Sequence, residues 1–211
     1  MINILCFGDS NTYGLKPDGS GRYALSERYP GILNALLGSG YHIIEEGCPG
    51  RTTVYEDLYR PGKKGIDYII PCIESHKPLD YIVIMLGTND SKHAYSSTAR
   101  EIAAGLKKIV DLIKIYLTPL PQILIVSPIL LGQDVNKPEF DEEFNETSIA
   151  VIRDLAQEYK KVALEEELDF LDASSSAAPS PVDQVHLDET GHKYLAAAIA
   201  DRISAYFTEK A

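Results

Sequence analysis

No stretch of this 211-residue sequence approaches the roughly 18 consecutive apolar residues that a membrane-spanning helix requires, so no membrane partner is expected. The N-terminus also lacks a basic region running into a long apolar segment and a small-residue cleavage site, and no signal peptide is read there. Cysteine is scarce: Cys6, Cys48 and Cys72 are an odd number without metal-ligand spacing. That argues against a disulfide framework and against a metal centre, and it fits free thiols in a reducing cytoplasm. Basic residues are short as well, 20 Lys and Arg against 31 Asp and Glu, for a formal charge of −11. Binding to a nucleic-acid backbone rests on clustered Lys and Arg, so nucleic acid is not an expected partner. No Gly-x-Gly-x-x-Gly or P-loop pattern follows the first apolar run, which weakens a nucleotide-binding reading. Neither a linker nor an internal repeat divides the chain, and the expectation is one cytoplasmic domain over residues 1–211.

What is present alternates regularly. An apolar content of 45% with 24% charged residues is that of a soluble globular domain with ample length for a core. Short runs rich in strand formers lie at residues 2–7, 41–45, 79–86, 122–126 and 169–172. The run at 79–86 is continuously apolar, as suits a strand covered on both faces. Between them fall helical patterns at 26–38, 65–75, 98–116, 142–166 and 189–207, the first with Ser26 as N-cap and Pro30 in its first turn. This alternation predicts a three-layer α/β/α sandwich around a parallel five-stranded sheet, with a flavodoxin-like strand order. Residues 16–22 and the long connection 127–141 are expected to border a pocket, since loops of such length in compact domains are often functional.

Four loops at the carboxyl ends of the predicted strands carry Ser10, Gly50, Asn89, and the pair Asp183 and His186. In a parallel sheet these loops share one edge, so residues distant in sequence converge there. Hydroxyl nucleophilic catalysis needs a base, an acid that orients it and donors for the oxyanion. His186 suits the base, and Asp183, three residues earlier, can reach its second ring nitrogen within one turn of chain. Gly50 offers a backbone N–H without an obstructing side chain, Asn89 an amide, and Ser10 its own N–H. Each has a plain structural alternative: Ser10, Asp183 and Asn89 as turn formers, Gly50 as a positive-φ position, His186 as a solvated loop histidine. Together, on four loops of one edge, they point to a serine-based site. His42, His76 and His93 read as surface or packing residues, and His192 lies on the last helix without a carboxylate at matching spacing.

These residues resemble the four blocks of the SGNH hydrolases, also called GDSL esterases: Gly8-Asp9-Ser10, the Gly50 loop, Gly87-Thr88-Asn89-Asp90 and Asp183-Gln184-Val185-His186. The blocks occur in the family's order and span nearly the whole chain. Glu45-Glu46-Gly47 with Arg51-Thr52-Thr53, and the run into Asn89-Asp90, resemble the arylesterase and acyltransferase branch that includes perhydrolases. The resemblance implies Ser10 as nucleophile, Asp183 and His186 as its partners, and Ser10, Gly50 and Asn89 as oxyanion donors, with no cofactor. Gly47 competes with Gly50 for the block II glycine, but Gly50 stands directly before Arg51-Thr52-Thr53. The usual block II asparagine is replaced by Glu45 or Glu46, which leaves the hydrogen bonding of that loop open. The Gly-x-Ser-x-Gly elbow of α/β-hydrolases is absent, because Thr12 stands at its second glycine. The implied activity is hydrolysis of short acyl esters, with acyl transfer or perhydrolysis as side reactions, and the resemblance also implies a homo-oligomer. Carbohydrate O-acetyl esters and thioesters are alternative substrates, and a non-catalytic ligand-binding domain is the alternative from another class.

Overall fold

Five apolar runs pair into one parallel sheet in the computed structural model, which describes residues 1–209. The strands are β1 (Ile2–Gly8), β2 (Tyr41–Gly47), β3 (Tyr81–Met85), β4 (Gln122–Ser127) and β5 (Asp169–Asp172). They lie in the order β2-β1-β3-β4-β5, the flavodoxin-like order expected from the sequence. Successive side chains of a strand face opposite sides, and the inner strands divide their apolar residues accordingly. Leu5, Phe7, Ile82, Ile84, Ile123 and Ile125 enter one core, whereas Ile4, Cys6, Val83, Met85, Leu124 and Val126 enter the other. All twelve are buried, and removing such a side chain from water contributes on the order of 1.5–3 kcal/mol.

Six α-helices among the described residues complete the layers: α1 (Ser10–Tyr13), α2 (Tyr29–Leu37), α3 (Gly65–His76), α4 (Ala99–Tyr116), α5 (Glu146–Glu165) and α6 (Glu189–Glu209). Apolar residues of α3, α4 and α5 close the first core, and those of α2 and α6 close the second. Two N-termini are marked by capping boxes, Thr98 with Glu101 and Asn145 with Ser148.

Two helices start later than the sequence suggested. Ser26 does not cap α2; the carboxylate of Glu27 accepts the Ala24 N–H at 2.8 Å, holding residues 24–28 in a separate turn, and the helix begins at Tyr29 with Pro30 behind it. Residues 142–144 are likewise outside α5, because Asp141 takes the Glu143 N–H on its side chain and the Phe144 N–H on its backbone. The short helix α1 had no periodic signal to reveal it. The 127–141 connection contributes to the first core, in which Leu131 and Val135 are buried.

Register places the site. Gly8 pairs with both Gly47 and Met85, so β1, β2 and β3 end level with one another. The chain leaves that edge toward Ser10, Gly50 and Asn89, and the connection after β5 returns to it with Asp183 and His186.

Candidate active site

Ser10 opens α1 directly after the sheet edge. Asp9 supplies the N-cap, its carboxylate accepting the Asn11 N–H at 3.0 Å, and Gly14 ends the turn in the left-handed region. Arg22 braces the turn from outside, donating to the Tyr13 carbonyl at 2.6 Å and covering the Tyr13 ring. Arg22 thus ties the 16–22 loop to the serine turn.

His186 meets this turn across 176 positions of sequence. With Nδ1 protonated, the imidazole donates to Asp183 Oδ2 at 2.5 Å, and Nε2 accepts from the Ser10 hydroxyl at 2.8 Å. Asp183 has a second hold: its Oδ1 accepts the N–H groups of Val185 and His186 at 3.0 and 2.9 Å. Gln184 adopts φ of 66° to make this tight turn. Burial acts to raise the Asp183 pKa, but the hydrogen bond and charge of His186 and the two N–H groups outweigh it and hold the carboxyl below its usual range. Asp183 is therefore the anion that faces the imidazole at neutral pH.

Two contacts fix the loop that carries this pair. Asn11, next to the serine, accepts the Leu187 N–H at 2.9 Å, and the Gly132 N–H donates to the Gln184 carbonyl at 2.8 Å. The first ties the histidine loop to α1, and the second ties it to the long connection after β4. Neither was read from the sequence, although the place of Asn11 beside Ser10 was a signal.

The Gly50 and Asn89 loops also lie at this edge. Gly50 has φ of 81°, and among the described residues its N–H makes no hydrogen bond. The Asn89 amide donates to the Arg51 carbonyl at 3.1 Å, which brings the two loops together and leaves its second hydrogen free. Arg51 anchors the segment from behind, donating to the Gly8 and Glu46 carbonyls and lying over the Phe7 ring. The question left open by the block II glutamates is answered by their side-chain partners. Glu45 takes Arg28 through both carboxylate oxygens, at 2.6 and 3.0 Å, and Arg22 at 2.9 Å; Glu46 pairs with His76 at 2.8 Å.

Glu46, Cys72 and His76 also bring three metal-ligating atoms within 4.8 Å of one another. They belong to the contact between β2 and α3, not to the line of Ser10, His186 and Asp183. His192, outside that line too, is fully buried in the α2–α6 layer.

Comparison with known proteins decides the family. Residues 6–194 match the model of the GDSL-like lipase/acylhydrolase family. The chain belongs to this family. Among solved structures, an aryl esterase of M. smegmatis is 33% identical, with a TM-score of 0.91 over 97% of this chain and 99% of that one. A carbohydrate acetylesterase of Sinorhizobium meliloti is 35% identical, also at 0.91, over 98% of this chain and 100% of that one. Both carry the α/β/α architecture described above. A curated acetylxylan esterase of Xylanibacter ruminicola is 28% identical over 96% of this chain, which spans only 43% of that protein's length. Membership of the GDSL-like family accounts for the order of the four blocks along the chain.

Proposed function

We propose that the chain is a serine esterase acting on short acyl esters. Ser10 attacks the acyl carbonyl while His186 Nε2 accepts its proton. Asp183 holds the imidazole in the required tautomer and stabilises the imidazolium that forms. The N–H groups of Ser10 and Gly50 and the free amide hydrogen of Asn89 receive the oxyanion. His186 then returns its proton to the leaving alcohol, leaving an acyl group on Ser10. Water, deprotonated by the same imidazole, releases the acid. The observation that carries this reading is the continuous hydrogen-bonded line from the Ser10 hydroxyl through His186 to Asp183. Its test is hydrolysis of p-nitrophenyl acetate: Ser10→Ala should lower kcat by at least about a thousandfold, as loss of an acyl-enzyme nucleophile does. A variant that keeps most of the activity would reject the assignment.

Acetylated carbohydrates are the favoured natural esters within this reading. Two of the similar proteins described above are named for acetyl ester cleavage on carbohydrate or xylan. Comparing acetate release from acetylated xylan and from aryl acetates decides between carbohydrate and aryl leaving groups. The same proposal takes residues 1–211 as one cytoplasmic domain that works as a homo-oligomer; a monomer mass by light scattering after size exclusion would remove the oligomer.

A further inference from the structure

Asp90 follows the proposed oxyanion residue Asn89 and is completely buried. One of its oxygens, Oδ1, accepts both the Thr53 backbone N–H at 2.8 Å and the Thr53 hydroxyl at 2.5 Å. The other, Oδ2, is buried without a hydrogen-bond partner among the described residues. Its backbone carbonyl accepts from the Ser97 hydroxyl at 2.5 Å, so main chain and side chain are both held. Thr53 is in turn confined from behind: at Gly105 of α4 even an added methyl group would stand 2.5 Å from the Thr53 hydroxyl.

The positions form a ladder. Asn89 is tied to Arg51, and Asp90 is tied to Thr53, two residues further along the same segment. Gly50 precedes Arg51 directly. Two parallel links therefore join the loop that carries one proposed oxyanion donor to the turn that carries another. The Asn89 link uses a single amide hydrogen, whereas the Asp90 link is two hydrogen bonds from Thr53 onto one buried oxygen.

We propose that Asp90 is a positioning residue for the oxyanion hole: through Thr53 it clamps the loop after β2 to the turn after β3 and fixes the separation of the Gly50 and Asn89 donors. This rests on the esterase reading above. Burial also pushes the Asp90 carboxyl up to about 7, and its Oδ1 accepts both Thr53 hydrogen bonds whether or not Oδ2 carries a proton. Hydrogen-bond geometry, not charge, is what the residue contributes. Oxyanion donors act on the transition state, so loosening the clamp lowers kcat and leaves KM nearly unchanged.

The test compares Asp90→Ala, Asp90→Asn and Thr53→Val on p-nitrophenyl acetate, each normalised to active sites by burst amplitude, with Ser10→Ala alongside. Asp90→Ala is expected to lose about 10- to 100-fold in kcat, the scale of a displaced catalytic group, with KM within about twofold of the parent. Asp90→Asn keeps the Oδ1 acceptor and should recover most of that loss. Thr53→Val removes one of the two bonds and should fall between, which keeps the proposal testable if Asp90→Ala does not fold. A kcat per active site within twofold of the parent in Asp90→Ala, or in Thr53→Val should Asp90→Ala not fold, would overturn the clamp. So would an Asp90→Asn variant as slow as Asp90→Ala. Activity surviving in Ser10→Ala would instead overturn the esterase reading itself.

Discussion

Two glycines of one loop are glycine for different physical reasons. Gly47 ends β2 against the serine turn: a Cβ there would stand 2.1 Å from the Tyr13 nitrogen and 2.6 Å from the Thr12 carbonyl carbon, both backbone atoms. Gly50 has room, since the first atom its Cβ would meet is Lys63 Cε at 3.9 Å, but its φ of 81° is left-handed. A side chain in that conformation costs about 1–2 kcal/mol without a clash. Gly47→Ala should therefore be the more damaging, losing well over about 3 kcal/mol or failing to fold, because backbone must move. Gly50→Ala should lower Tm by only about 2–8 °C. Thermal unfolding of the two variants checks this, and a Gly47→Ala protein as stable as the parent would show that β2 does not abut the serine turn. Gly47 thus shapes the Ser10 turn, while among the described residues the free N–H belongs to Gly50.

At the scale of elements, the α2–α6 contact contains a titrating group. His192 on α6 accepts the Tyr29 N–H of α2 on Nδ1 at 3.3 Å, its Nε2 has no hydrogen-bond partner among the described residues, and the Tyr23 ring meets it edge-on. Burial pushes its pKa down to about 4; Asp188 opposes that shift, and His186 and Arg28 add to it. The unfolded chain, with histidine near its ordinary value of about 6.5, binds the proton more strongly between these limits. Stability from this contact is therefore lost as pH falls from about 6.5 toward 4, by about 1.4 kcal/mol per unit. Asp90 acts in the opposite sense, since a raised carboxyl pKa favours the folded state at low pH and that benefit is lost as pH rises toward about 7. A comparison with His192→Gln cancels the Asp90 contribution. From pH 6 to pH 4.5 the parent should lose about 2 kcal/mol more than the variant in denaturant unfolding. An equal loss in both proteins would contradict a neutral, buried His192.

For the molecule as a whole, the sheet was legible because its strands are continuous apolar runs, and covering both faces of a parallel sheet demands such runs. The parallel sheet and its shared edge followed from the alternation; the flavodoxin-like strand order was an expectation that alternation alone does not fix, and which helices cover which face came from the structure. Ser10, Gly50, Asn89, Asp183 and His186 were legible as candidates because each follows a strand on that edge. The residues that brace them were not. Asn11 reaches Leu187, Glu45 collects Arg22 and Arg28, and Asp90 reaches Thr53. These links join positions far apart in sequence through single side chains, so no periodicity or spacing encodes them. Helix starts shifted for a related reason: Glu27 and Asp141 offered the backbone nearby hydrogen bonds that stabilised competing turns.

Among the described residues no helix is long and apolar enough to cross a membrane, and the edge bearing Ser10 is served by loops from four strands. The proposed nucleophile, Ser10, is the residue on which the esterase reading turns. Reaction with a fluorophosphonate probe, followed by intact mass and peptide mapping, tests it directly. One adduct per chain is predicted, on the peptide containing Ser10, formed much more slowly in His186→Ala and absent in Ser10→Ala. A folded parent protein that takes up no probe, or an adduct that persists in Ser10→Ala, would contradict it.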